Sequence, residues 1–195
     1  MKISKFSWRR VCLAAGIFLL VIAVLSPAFW RYYVRFSSAR MDEYVHTIRS
    51  WIPQPENAAV EEGVDSKMPV LTISGNDFVG LLEMASYGSV LPVCAQWGEV
   101  YKYPCVLDGS VYDGSLLVGA TTQVGQYSFY REISVGDTVW FTDVTGSRYT
   151  YEITDISYSK HADYAALNGK DADLTLFIKN TLAFEYIIFF CNTLS

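Results

Sequence analysis

Acidic residues are missing from the first 41 positions, histidine occurs only twice, and charged residues make up 18% of the 195-residue chain. Each scarcity excludes something. So few charges beside 51% hydrophobic and 15% aromatic residues exclude a disordered polymer, because that much apolar surface cannot stay in water. Two histidines among scattered cysteines do not make a zinc site, and there is no CxxC or HExxH ligand set, no Gly-rich phosphate loop and no GxSxG elbow. No cofactor is implied. Basic residues are scarce where a nucleic acid would need them: residues 51–195 carry 18 acids against seven Lys and Arg, a net of −11 inside a chain of overall charge −5. A phosphate backbone requires a clustered positive surface, so no nucleic-acid partner is expected.

What is present begins with a membrane signal. Val11 to Trp30 is a run of 20 residues without a charge. At 1.5 Å per residue it matches the roughly 30 Å hydrocarbon layer. Residues 1–10 are read as a cytoplasmic N-terminus and 11–30 as a transmembrane helix, although Lys2, Lys5, Arg9 and Arg10 outnumber Arg31, Arg35 and Arg40 only narrowly. A cleaved signal peptide is the competing reading, because a basic start, an apolar stretch and a small-residue site Ser26-Pro27-Ala28 also fit. Trp30, Tyr32 and Tyr33, placed as interfacial aromatics, favour the uncleaved anchor. Either reading exports the remainder.

Beyond the span, Val34, Met41 and Ile48 recur every seven residues with Tyr44 and Val45 between them, which predicts a juxtamembrane stalk helix over 31–51. Ile52-Pro53-Gln54-Pro55 stops it, and residues 52–68 read as a flexible linker. The remaining segment, 69–195, has no internal repeat, and its dominant period is two. Val139-Trp140-Phe141-Thr142 and the alternating Tyr149, Tyr151 and Ile153 flank Asp143 to Ser147, predicting a hairpin with a Gly-bearing loop. Further strands are expected near Phe78 to Met84, Leu91 to Ala95, Leu116 to Ala120, Asp173 to Ile178 and Tyr186 to Cys191. The last two are nearly continuous apolar runs, as strands covered on both faces should be. Only Gln126 to Glu132 and His161 to Leu167 suggest helical turns. The fold class is mostly β, a small closed barrel.

The stretches PVLTISGNDFVGLLEM, LPVCAQW, SLLVGATT, REISVGDTVWFTD, SRYTYEITDI and DLTLFIKN resemble, in order and spacing, the sortase family of membrane-anchored cysteine transpeptidases of Gram-positive bacteria, over residues 69 to 191. The resemblance implies a sortase-type β-barrel on the outer side of the cell membrane, in the setting of the cell wall. It also implies a site built from three groups. A Cys thiolate attacks the sorting-signal peptide bond, a His moves protons, and an Arg guanidinium holds substrate or developing charge. Aligned on those motifs, the His position is Thr121, the Cys position Lys179 and the Arg position Tyr186. The sequence therefore reads as a pseudoenzyme, with no catalytic residues to assign.

Each replacement has a physical consequence. A Thr hydroxyl has no pKa near neutrality and cannot shuttle a proton as imidazole does. Lys179 would be nucleophilic only if its pKa fell well below about 10.4, and its amide product would not turn over like a thioester. Tyr186 offers one neutral donor where a five-donor fork is implied. Rescue through His161 with Cys94, Cys105 or Cys191 is a further possibility to be tested in space, as His46 sits on the stalk.

The resemblance also carries an expectation for cysteine: Cys105, in YPC, contacts or bridges Cys191 at the end of the last strand, with two buried thiols as the plainer alternative and Cys94 to Cys105 second. Asp108 and Asp113 flank Gly109-Ser110 and read as turn residues rather than calcium ligands, and the 14 tyrosines as barrel-wall residues rather than a carbohydrate surface. The function expected is a single-pass, extracytoplasmic binding or scaffolding module. Its partner would be an extended sorting-signal-like peptide, a surface protein or an active sortase. The alternatives are an active transpeptidase or hydrolase with unorthodox residues, and a structural surface protein associating through its stalk.

Overall fold

A 44-residue helix, α1, runs without a break from Trp8 to Trp51 and contains Pro27. Within it Val11–Tyr33 is long and apolar enough to cross a membrane, with mean hydropathy 2.6 and none of it buried. The computed structural model describes residues 8–54, 56–57, 67–122, 126–161, 167, 171–180 and 183–194. Most of the expected linker over 52–68, and most of the expected helical turn over 161–167, lie outside these residues.

The chain divides into two units, Met1–Ala39 and Arg40–Ser195. In the second, the last turns of α1 belong to the barrel core. Met41, Val45 and Ile48 fall at i, i+4 and i+7 on one stripe and are buried. The Tyr44 ring beside them lies tilted against Phe78, with centroids 5.2 Å apart, and edge-on to Tyr103 at 5.5 Å. From Met41 onward the stripe of the expected stalk helix over 31–51 packs against the protein's own barrel.

Ten strands follow: β1 (Glu56–Asn57), β2 (Leu71–Ile73), β3 (Asn76–Met84), β4 (Ser89–Cys94), β5 (Cys105–Asp108), β6 (Leu116–Thr121), β7 (Thr138–Asp143), β8 (Ser147–Ser159), β9 (Leu174–Asn180) and β10 (Glu185–Thr193). Eight of them close a barrel in the order β8-β10-β9-β6-β5-β4-β3-β7, with β7 returning to β8. Closure leaves no open sheet edge along this circuit. The pairs β4–β5 and β6–β9 are parallel and the other contacts around the barrel antiparallel.

The β7–β8 hairpin shows how local chemistry sets register. Asp143 Oδ1 accepts from the amides of Thr145 (2.8 Å) and Ser147 (3.0 Å) and from the Thr145 hydroxyl (2.6 Å). Gly146 takes the positive φ of 94° that the turn needs. The tight approach of β3 to β7 depends on Gly80, whose missing Cβ would lie 2.2 Å from the Thr142 carbonyl oxygen.

Two apolar clusters explain the continuous hydrophobic runs of β9 and β10. Leu176, Ile178, Ile187 and Phe189 belong to the barrel interior. Phe177, Ile188 and Phe190 join Leu117 and Leu167 in a second cluster on the other face. Both faces of these strands are covered, so alternation disappears from the sequence. Gln126 to Glu132 forms successive tight turns, with amide-to-carbonyl bonds from Tyr130 to Tyr127 and from Glu132 to Phe129.

Asp108 and Asp113 close their own turn. Asp108 Oδ1 accepts the Gly109 amide at 2.9 Å, and Asp113 Oδ1 accepts the amides of Ser110 and Ser115 and the Ser115 hydroxyl. Among the described residues no group of three His, Cys, Asp or Glu side chains is placed to hold a metal ion.

Candidate functional site

Strand register decides which side chains meet on the second face. In the parallel β6–β9 pair Thr121 stands opposite Lys179, and in the antiparallel β9–β10 pair Lys179 stands opposite Tyr186. The three therefore form one lateral row at the end of three adjacent strands, each step about 4.8 Å. Because side chains alternate, they share the face of Gly119 and Phe177, two residues before them on β6 and β9, and of Ile188, two residues after Tyr186 on the antiparallel β10. All three line a single cleft of about 390 Å³.

The cleft is otherwise apolar. Phe177, Ala120, Leu107 and Leu167 form its walls, and Trp97, Val100 and Tyr101 come over it from the segment between β4 and β5. Trp97 packs on Phe177 with ring centroids 5.3 Å apart. It can do so because position 119 is glycine: a Cβ there would lie 2.2 Å from the indole Cζ3. Gln126 ties the arrangement together. Its Oε1 accepts the Thr121 amide at 2.9 Å and its Nε2 donates to the Val100 carbonyl at 3.3 Å. Trp97, Gly119, Gln126 and Leu167 escape sequence reasoning, because each acts through a neighbour distant in the chain.

The polar end of the cleft is short of acceptors. Thr121 is 1% exposed and its Oγ1 has no hydrogen-bond partner among the described residues. Lys179, half-buried, forms none of the ion pairs found among them. The acids near it in sequence or on the covering segment are engaged: Glu99 with Lys102 at 2.5 Å, and Glu185 with the Asn180 side-chain amide at 3.3 Å. Asn180 also donates to the Tyr130 hydroxyl and accepts the Ala183 amide, which braces the connection leading into Tyr186. Among the described residues the cleft is lined by no cysteine, histidine or arginine.

The cysteines lie elsewhere. All are thiols, and Cys94, Cys105 and Cys191 are buried. Cys105 stands opposite Cys94 in the β4–β5 pair, whereas β6 and β9 separate β5 from β10, which carries Cys191. The structure thus makes Cys94 the cross-strand neighbour of Cys105, through a single parallel bridge. A hydrogen bond from Cys105 pulls the Cys94 thiol down to about 7 against the effect of burial, while the same bond and burial push Cys105 up. Cys191 is pushed up by burial alone. His161 is exposed and its amide and carbonyl bond to the Ser159 hydroxyl, and His46 is exposed on α1, so neither imidazole sits in the interior with the three thiols.

No protein-family model and no curated protein matches the sequence. Solved structures do. Sortase C from Clostridium perfringens SM101 aligns at 17% identity over 61% of this chain and 71% of that one, with a TM-score of 0.52. Sortase C1 from Streptococcus suis aligns at 17% over 60% and 73%, with a TM-score of 0.53. Sortase C1 from Streptococcus agalactiae aligns at 16% over 64% and 71%, again at 0.53. Identities this low speak for architecture, and together with the closed eight-stranded barrel they establish that this chain has the sortase fold.

Proposed function

We propose that this protein is a membrane-anchored, extracytoplasmic sortase-fold module that binds an extended peptide or surface protein in its cleft without exchanging bonds, in the assembly or sorting of cell-surface proteins. One observation carries the reading. Thr121, Lys179 and Tyr186, the positions where the sortase resemblance implies His, Cys and Arg, occupy one lateral row in one cleft.

Their chemistry supports binding and not transfer. The row offers two hydroxyls and a lysine side chain, so it can donate hydrogen bonds, and it carries none of the imidazole, thiol and guanidinium that the resemblance implies at these positions. Recognition of a strand-like peptide needs only shape and backbone hydrogen bonds. The apolar Val11–Tyr33 stretch supports the anchor.

The test is to incubate the full-length protein in detergent with Leu-Pro-x-Thr-Gly-type peptides and to follow cleavage, covalent adduct mass and binding separately. Binding without cleavage or adduct is expected. Cleavage that disappears in Lys179→Met, or in a cysteine variant, would overturn the reading. Thr121→His, Lys179→Cys and Tyr186→Arg installed together should restore some transfer if the cleft still presents a peptide correctly.

A further inference from the structure

The polar end of the cleft has an imbalance that a neutral peptide bond would not satisfy. Thr121 Oγ1 is buried and unpartnered among the described residues, Lys179 forms no ion pair with them, and Tyr186 lines the same space. Lys supplies donors only, and the two hydroxyls each have a proton to give. The backbone amides beside them are already used: Thr121 N–H by Gln126 and Thr122 N–H by the Lys179 carbonyl. A buried hydroxyl left unpaired is costly, so donors gathered at one end of the cleft mark a place for an acceptor-rich group.

We infer that this end of the cleft recognises a carboxylate carried on an apolar peptide, held by Lys179, Thr121 and Tyr186 while Phe177 and Trp97 cover the adjoining apolar residue. The inference rests on the binding function proposed above and names the group that is read. Charge selects a monoanion. Among the described residues only one cation lines the cleft, and residues 51–195 carry a net −11, so a doubly charged phosphate would remain under-neutralised. Size selects a short segment. At about 390 Å³ the cleft lies near the lower end of ligand pockets, enough for a chain terminus and a neighbouring side chain. A carboxylate presents two oxygens and roughly four lone-pair positions to the three donors.

The experiment is calorimetric titration of the full-length protein in non-ionic detergent with three peptides: acetyl-Leu-Pro-Leu as the free acid, the same peptide as the C-terminal amide, and acetyl-Leu-Pro-Leu-Asp as the C-terminal amide. The free acid should bind at least about tenfold more tightly than the neutral amide, as expected for a charge-assisted hydrogen-bonded contact. The Asp peptide separates a chain-end carboxylate from a side-chain one: affinity matching the free acid extends recognition to both, and affinity matching the neutral amide restricts it to the chain end. Lys179→Met should reduce the acid preference to less than about threefold, Thr121→Val should diminish it, and Lys179→Arg should retain it. Equal binding of free acid and neutral amide, or a preference that survives Lys179→Met in a protein of unchanged melting temperature, overturns the carboxylate inference and leaves the binding function standing. No measurable binding of any of the three peptides overturns both.

Discussion

The indole of Trp97 occupies the space that a side chain at Gly119 would fill, its Cζ3 lying 2.2 Å and its Cη2 2.5 Å from the position of a Cβ there. The contact joins the segment between β4 and β5 to the middle of β6, and it sets how far Trp97 descends over the cleft. Gly119→Ala should therefore displace the indole, or Phe177 opposite it, since both contacts are ring tips and not backbone. The expected cost is about 1–3 kcal/mol in chemical denaturation, the usual range for overpacking. In 5-fluorotryptophan-labelled protein the fluorine resonance of Trp97, assigned with Trp97→Phe, should shift while that of Trp140 stays in place.

Glu83 holds the end of α1 to the barrel. It accepts from Arg49 at 3.1 Å and from Arg148 at 3.0 Å, and Arg148 also donates to Thr142 and lies 5.2 Å from the Trp140 ring centroid. Arg49 is half exposed, which weakens its share through solvent screening. Glu83→Gln should cost about 1–3 kcal/mol, chiefly through the less exposed Arg148. Replacing both partners, Glu83→Gln with Arg148→Met, should cost less than the sum of the single changes, as a double-mutant cycle would measure.

High pH should unfold the barrel through its tyrosines. Burial, with a hydrogen bond to Asp137, pushes Tyr87 up to about 12, and burial pushes Tyr127 and Tyr151 up further. In the unfolded chain these phenols titrate near 10. The native state binds their protons more tightly, so their contribution is complete below about pH 10 and is lost as pH rises toward the native values. Absorbance at 295 nm should show a cooperative step above pH 10 coincident with loss of circular dichroism. Tyr127 and Tyr151 hydroxyls have no hydrogen-bond partner among the described residues. Tyr151→Phe should therefore leave stability at pH 7 unchanged or raise it by up to about 1 kcal/mol, and move the alkaline midpoint upward.

Thiol chemistry should follow burial. Cys94, Cys105 and Cys191 are at most 1% exposed, so native protein in detergent should resist maleimide at these positions and react at all of them in denaturant. Under oxidised glutathione with slow refolding, peptide mapping should recover a Cys94–Cys105 bridge, because those two residues face each other in register. A Cys105–Cys191 bridge as the dominant product would overturn this expectation.

Much of the barrel is legible in the sequence. The Tyr149, Tyr151 and Ile153 alternation and the Gly146 turn specify the β7–β8 hairpin, and the apolar runs of β9 and β10 announce strands covered on both faces. Because β9 and β10 are joined by a short connection, the pairing of Lys179 with Tyr186 follows almost from counting. β5 does not announce itself. It has four residues, pairs with β4 in parallel at a single position, and so leaves no periodic trace from which the neighbour of Cys105 could be read. The Met41, Val45 and Ile48 stripe is visible as a stripe, but nothing local says that Phe78 and Tyr103 cover its flank. Trp97 over Gly119 is invisible for a like reason: a missing Cβ has meaning only beside the ring that takes its place.

The span from Cys94 to Cys105 starts and finishes on adjoining strands, with the Cys94 amide bonded to the Pro104 carbonyl at 2.8 Å. Both feet of this arch are therefore clamped one strand step apart, which fixes where along the barrel it stands. With its crest packed by Trp97 on Phe177 and bonded from Gln126 to the Val100 carbonyl, the piece that bears Trp97 is an awning over the cleft, pinned at both feet and along its ridge.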